Sequence, residues 1–170
     1  MNISLIPYSS LKKEIQDFIH SKQEKIKDGF TITAKDINCS TKIFYNDKMS
    51  DGRIRFTICH ELDHFIFEDK NDGEYEELRA NHFARQLLIP TCLVMICLSE
   101  NMDVYDIQSK FNVSFEVAVI AYNHATNRIN RYSFALTDYE KDFLQIYYSK
   151  HFGINFSYNG FLKLKEGIKI

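Results

Sequence analysis

His60-Glu61-Leu62-Asp63-His64 is the stretch on which the reading of this chain turns. On a helix turning ~100° per residue, His64 lies ~40° round from His60, so both imidazoles project from one face and can share a metal. Glu61 sits on the flank of that face, where a carboxylate can take a proton from an activated water and pass it to a leaving amine. Five residues therefore supply two ligands and a general base.

The surrounding residues support that reading. Apolar side chains at 54, 56, 58, 62, 65 and 66 fit a mostly buried helix that begins just after the turn signal Asp51-Gly52. A buried helix carrying His, Glu, Asp and His must account for those polar groups, because leaving them unpaired is costly and a bound metal removes most of the cost at once. A third ligand comes from the next helical stretch, Glu74 to Pro90, which has helical propensity throughout and stops at the proline. Glu77 and Asn81 lie near one stripe with the small residues Ala80 and Ala84, which allow close approach to a second helix. Glu77 beside the two imidazoles completes the three-protein-ligand set of a catalytic zinc. Asn81, one turn further, can hold the distal nitrogen of a ligand histidine. Glu74 and Glu76 are rival ligands, although they suit a solvated first turn favoured by the helix dipole.

The block Arg55-Phe56-Thr57-Ile58-Cys59-His60-Glu61-Leu62-Asp63-His64, followed by Glu77-Leu78-Arg79-Ala80-Asn81-His82-Phe83-Ala84 and Leu87-Leu88-Ile89-Pro90, resembles the ImmA/IrrE metallopeptidases over about residues 40–128. The resemblance implies a small zincin-like fold and a cytoplasmic protein of a bacterium, phage or mobile element. It also implies cleavage of a helix-turn-helix repressor, with His60, His64 and Glu77 matching the metal ligands and Glu61 the catalytic glutamate. Two positions depart from the family pattern: 63 is usually Gly or Ala and is Asp here, and 59 is more often Ala than Cys. Asp63 points off the His60/His64 face. Its expected role is to orient a neighbouring ligand or a substrate donor, not to bind the ion.

Composition agrees with one sizeable core, since the chain has 170 residues and 45% of them are hydrophobic. A net charge of −2 argues against a generic polyanion binder. Cys39, Cys59, Cys92 and Cys97 form no C-x-x-C pair, and reduced thiols are expected. There is no charged leader ahead of a long apolar run and no run approaching a membrane span, so neither export nor a membrane partner is expected.

The order of elements reads as α+β. An amphipathic helix is expected from Leu11 to about Lys25, then strands at Phe30-Thr31-Ile32-Thr33 and Lys42-Ile43-Phe44-Tyr45, then the metal helix and the ligand helix. The strands predict a small sheet flanking the metal helix, whose edge can pair with an extended peptide. Residues 1–128 are expected to form a zincin-like metallopeptidase domain, with a helix-turn-helix-like segment at 91–128 in which Ser114 caps the second helix. That helix is strongly apolar and carries no Arg or Lys before Arg128, so packing is favoured over reading DNA. Tyr122 and His124 are more simply core residues than oxyanion donors. Residues 129–170 are expected to add a helix, begun by the capping box Thr137-Asp138-Tyr139-Glu140, and a β-hairpin about Asn159-Gly160.

Two functions fit these residues. One is a metalloendopeptidase that binds Zn2+, with Mn2+ as the alternative ion, and cleaves a regulatory protein, with a helix-turn-helix repressor as the expected partner. The other is a non-catalytic, metal-containing regulator that binds DNA or a repressor through its helical segment. Glu61 discriminates between them, because a purely structural site gains nothing from a general base beside an open position.

Overall fold

The computed structural model describes residues 2–21, 28–33, 40–69 and 73–159. Backbone contacts divide the chain into two compact units at Leu88/Ile89. The sequence reading drew its division at 128/129 instead. No break occurs there because the long helix spanning that point packs on earlier helices of the second unit.

The first unit begins with strand β1 (Asn2–Pro7), followed by a single 3-10 turn at Tyr8–Ser10 and helix α1 (Lys13–Ser21). Strands β2 (Gly29–Thr33) and β3 (Ser40–Tyr45) follow. The sheet order is β1-β3-β2, with β1 parallel and β2 antiparallel to β3. β1 has no clean alternation and is not foreseen in the sequence, since its pairing partner lies 38 positions on, Ile3 against Thr41 and Leu5 against Ile43. β3 is central, so its inward residues Thr41 and Ile43 are buried while Lys42 between them is exposed, the period-2 pattern of a half-covered strand. Phe30 and Phe44, cross-strand partners, stack at 4.8 Å.

Helix α2 (Asp51–Ile66) packs on β2 and β3, and α3 (Glu74–Leu88) packs on α2. Asp51-Gly52 is the first turn of α2 and not a turn before it: Ser50 is the extended N-cap residue, and Asp51 suits the helix dipole. Of the residues of α2 only Thr57 and Asp63 are buried, so this helix is half-covered where the sequence suggested a mostly buried one. Ala80 and Ala84 are fully buried in α3, as close helix packing requires.

The second unit contains α4 (Thr91–Ser99), α5 (Val104–Phe111), α6 (Phe115–Tyr132) and α7 (Asp138–Phe152). The sequence does not separate α4 as an element. Its residues 91–97 are all buried, which makes it the core of this unit, and a helix apolar all round has no stripe to betray it. α6 packs on α4 and α5 through Ala118, Ala121, Ala125 and Ile129. Asn112, in the left-handed conformation, ends α5, and Ser114 Oγ accepts from the Val117 N–H to begin α6. The Thr137/Glu140 capping box begins α7 and Gly153 ends it. The expected hairpin is not formed in its described part: residues 154–157 carry no regular structure, 158–159 are helical, and 160–164 lie outside the described residues. Cys59, Cys92 and Cys97 are free thiols, and Cys39 lies outside the described residues. Among the described residues no single helix is long and apolar enough to cross a membrane.

Candidate metal centre

α2 and α3 bring three donor side chains to one point. His60 Nε2 lies 3.0 Å from His64 Nε2 and 3.4 Å from Glu77 Oε2, and His64 Nε2 lies 4.0 Å from Glu77 Oε1. The three donor atoms fall within 4.8 Å of one another. Ligand atoms ~2.1 Å from a common tetrahedral centre are about 3.4 Å apart, close to the 3.0 Å and 3.4 Å that separate His60 Nε2 from His64 Nε2 and from Glu77 Oε2. The rival carboxylates Glu74 and Glu76 are not members of this group.

The far side of each imidazole is occupied. His60 Nδ1 is 3.1 Å from Asn81 Oδ1, and His64 Nδ1 is 2.8 Å from Asp69 Oδ2. A carboxylate and an amide oxygen only accept, so each Nδ1 carries the proton and each Nε2 presents a lone pair. Two ring nitrogens and a carboxylate then face one another across 3–4 Å, three potential ligand atoms gathered at one point. That arrangement suits a small cation. A hydrogen ion is a poor substitute: burial first, and the neighbouring His64 second, hold His60 below its ordinary imidazole value. Three donors of the N/N/O type fit zinc better than magnesium or calcium, which favour all-oxygen shells.

Glu61 lies beside this group with its carboxylate fixed by the sheet. Thr31 Oγ1, on β2, donates to Glu61 Oε2 at 2.9 Å and is 3.3 Å from the Glu61 carbonyl. β2 comes this near to α2 because residue 29 is glycine: a Cβ there would overlap Thr57 Cγ2, stand 2.9 Å from the Phe44 carbonyl oxygen and touch Glu61 Cγ at 3.6 Å. The Tyr8 phenol is buried, and that burial, with the charges of Glu61 and Asp28, raises its pKa well above the usual value. A cleft of about 330 Å³ is lined by His60, Glu61, Glu77 and Asn81 together with Asp28, Gly29, Arg53, Phe56 and Thr57. Arg53 pairs with Asp28, its Nε 2.9 Å from Asp28 Oδ2.

Asp63 is fully buried and is not among the cleft residues. Its Oδ2 accepts from Arg79 Nε at 2.9 Å and forms an ion pair with Nη2 at 2.8 Å. Asp69, Thr31 and Arg79 are neighbours of the site that the sequence reading missed. Asp69 is reached through the end of α2: the Asp69 N–H bonds the His64 carbonyl and the Glu68 N–H the Phe65 carbonyl, with Glu68 left-handed at φ 52. This is the paired closure usually built on glycine, and a glutamate at that position gives no signal for it. The Asp69 carboxyl is desolvated, which would raise its pKa, but hydrogen bonds from Arg79 and His64 outweigh that and hold it low.

The peptidase M78 family model, described as the IrrE N-terminal-like domain, matches residues 10–123, more than half of the chain. The chain belongs to this family. It is the ImmA/IrrE relationship expected from the two sequence blocks, and it places the chain among the metallopeptidases by family. No curated protein and no solved structure matches the chain. The IrrE-like match takes in all of α2 and α3, so every donor of the candidate centre lies inside it, and it ends within α6. Tyr122 and His124 of α6 lie in the second unit, where His124 Nδ1 stands 3.4 Å from Thr91 Oγ1.

Proposed function

We propose that this IrrE-like chain is a zinc-dependent endopeptidase, with His60, His64 and Glu77 as ligands and Glu61 as general base. One observation carries the reading: two imidazole nitrogens and a carboxylate converge as acceptors while Asn81 and Asp69 fix the opposite ring nitrogens. A divalent cation held by these three residues would polarise a scissile carbonyl and make a water acidic at neutral pH. Glu61, held against β2 by Thr31, takes the proton of the attacking water and delivers it to the amine as the peptide bond breaks. Among the described residues β2 is an edge strand that pairs with β3 alone, and its other side can align an extended peptide through backbone hydrogen bonds. From the resemblance to the ImmA/IrrE peptidases we take a regulatory protein as substrate, with a helix-turn-helix repressor as the first candidate. The regulator reading leaves the Thr31-supported Glu61 without a use.

Metal analysis of protein purified without chelator should give one zinc, lost in a His60→Ala, His64→Ala double variant. Glu61→Gln should keep the zinc and the fold and lower cleavage of the repressor by orders of magnitude. Zinc retained in the double variant would refute the ligand assignment, and wild-type cleavage by Glu61→Gln would refute the base.

A further inference from the structure

Behind His64 stands a group of charged side chains that bond cleavage does not use. His64 Nδ1–H donates to Asp69 Oδ2, the same oxygen accepts from Arg79 Nη2, and Arg79 Nε and Nη2 are anchored on Asp63 Oδ2. The guanidinium lies 4.2 Å from the centroid of the Phe67 ring, which restricts it further. Asp63, His64 and Asp69 by themselves have the spacing of a cation site, and the Arg79 guanidinium is the cation that fills it. Asp63 is 0% exposed and its Oδ1 has no hydrogen-bond partner among the described residues. A buried carboxylate half-satisfied in this way is a poor source of stability, because its desolvation offsets the attraction of the pair. What it does secure is the place of Arg79.

We propose that Arg79, anchored on Asp63, is a positioning residue for His64: it aims the Asp69 carboxylate at Nδ1 and so sets the tautomer and direction of the ring. The inference rests on the metal-site reading above. Asn81 does the same for His60 directly, so α3 governs all three donors: Glu77 by itself, His60 through Asn81, and His64 through Arg79 and Asp69. A shift of α3 along α2 would disturb every ligand together. Partners of this kind hold a ring in place and raise its basicity, and their loss weakens metal binding by about ten- to a hundredfold.

The test is zinc affinity of the full chain by chelator competition, with the visible spectrum of the cobalt-loaded protein as a second readout. Asp69→Ala and Arg79→Ala should each weaken zinc about ten- to a hundredfold. Their double variant should be no weaker than the weaker single one, because both act through one contact. Asp69→Ala combined with Asn81→Ala should multiply the two losses, since different rings are released. Arg79→Lys should recover part of the affinity, and Asp69→Asn should shift the cobalt bands while far-ultraviolet dichroism stays unchanged. If Arg79→Ala fails to fold, Asp69→Asn and Arg79→Lys, singly and together, carry the same comparison. Wild-type affinity in Asp69→Ala, or multiplied losses in the Asp69/Arg79 pair, would overturn the inference. Zinc retained in the His60→Ala, His64→Ala variant would instead remove the metal reading beneath it, so the two failures are distinguishable.

Discussion

Thr31 and Glu61 show how one hydroxyl can govern the use of a carboxylate. A glutamate side chain has three rotatable bonds, and only a fraction of its conformations face a water at the His60/His64/Glu77 group. The Thr31 hydroxyl, 2.9 Å from Oε2, selects among them and is itself fixed by a strand. Thr31→Val keeps the shape and removes the donor, so metal content should stay at the wild-type level while kcat falls about tenfold with little change in KM, near the lower end for a hydrogen bond to a charged group. Thr31→Ser should restore most of the rate. A Thr31→Val enzyme with wild-type kcat would show that Glu61 finds its place unaided. The two histidines of the candidate centre were open to a reading of spacing alone, because four residues of helix place His60 over His64 whatever surrounds them. Their supports were not equally open. Asn81 lies one turn from Glu77 on the same helix and can be placed by periodicity, whereas Thr31, Asp69 and Arg79 reach the site through a strand, a left-handed Glu68 and a second helix.

At the scale of elements, the site is the contact of β2 and α3 with the two flanks of α2. Gly29 sets the first of these contacts, since any Cβ there would enter Thr57 Cγ2 and crowd the Phe44 carbonyl. Gly29→Ala should push β2 off α2, costing about 1–3 kcal/mol of stability as overpacking does. The same movement should part Thr31 from Glu61, so the loss of kcat should match that of Thr31→Val while metal affinity, carried by donors on α2 and α3, is spared. Chemical denaturation and steady-state kinetics on one preparation check both halves. A stable, fully active Gly29→Ala protein would refute the close approach. The sequence signals for α2, α3, α5, α6 and α7 were strong because each has a cap, a stripe or a stop of its own. β1 and α4 had none: β1 is defined by a partner strand far along the chain, and α4, buried on every side, shows no period. The 156–158 arm of the expected hairpin failed for the converse reason, since Asn159-Gly160 is a turn signal that needs two strands to act on and the residues before it form none.

For the molecule as a whole, each unit carries an arginine-paired carboxylate held below its ordinary value, and both bear on how the protein meets acid. In the first unit it is Asp69; in the second it is Glu140, whose burial works against ionisation but is outweighed by hydrogen bonds from Arg128 and Thr137. Arg128 Nη2 lies 2.6 Å from Glu140 Oε2 and 3.0 Å from the Ala135 carbonyl, so one guanidinium ties α6 to the start of α7 and to the turn between them. A group whose folded pKa is depressed adds stability that is fully present above its unfolded value, 4.5 for Glu140, and is lost as the pH falls through the folded value. Urea unfolding followed by a probe in the second unit should therefore show Glu140→Gln less stable than the wild type by about 2 kcal/mol at pH 7, the range of a hydrogen bond to a charged group. The gap should narrow below pH 4.5 and vanish once the wild-type carboxyl is protonated in both states. The amide keeps the size and one acceptor of the acid, so the pH dependence isolates the charge from the packing. A difference that stays constant from pH 7 into acid would assign the loss to packing and leave the Arg128/Glu140 pair without a role in stability.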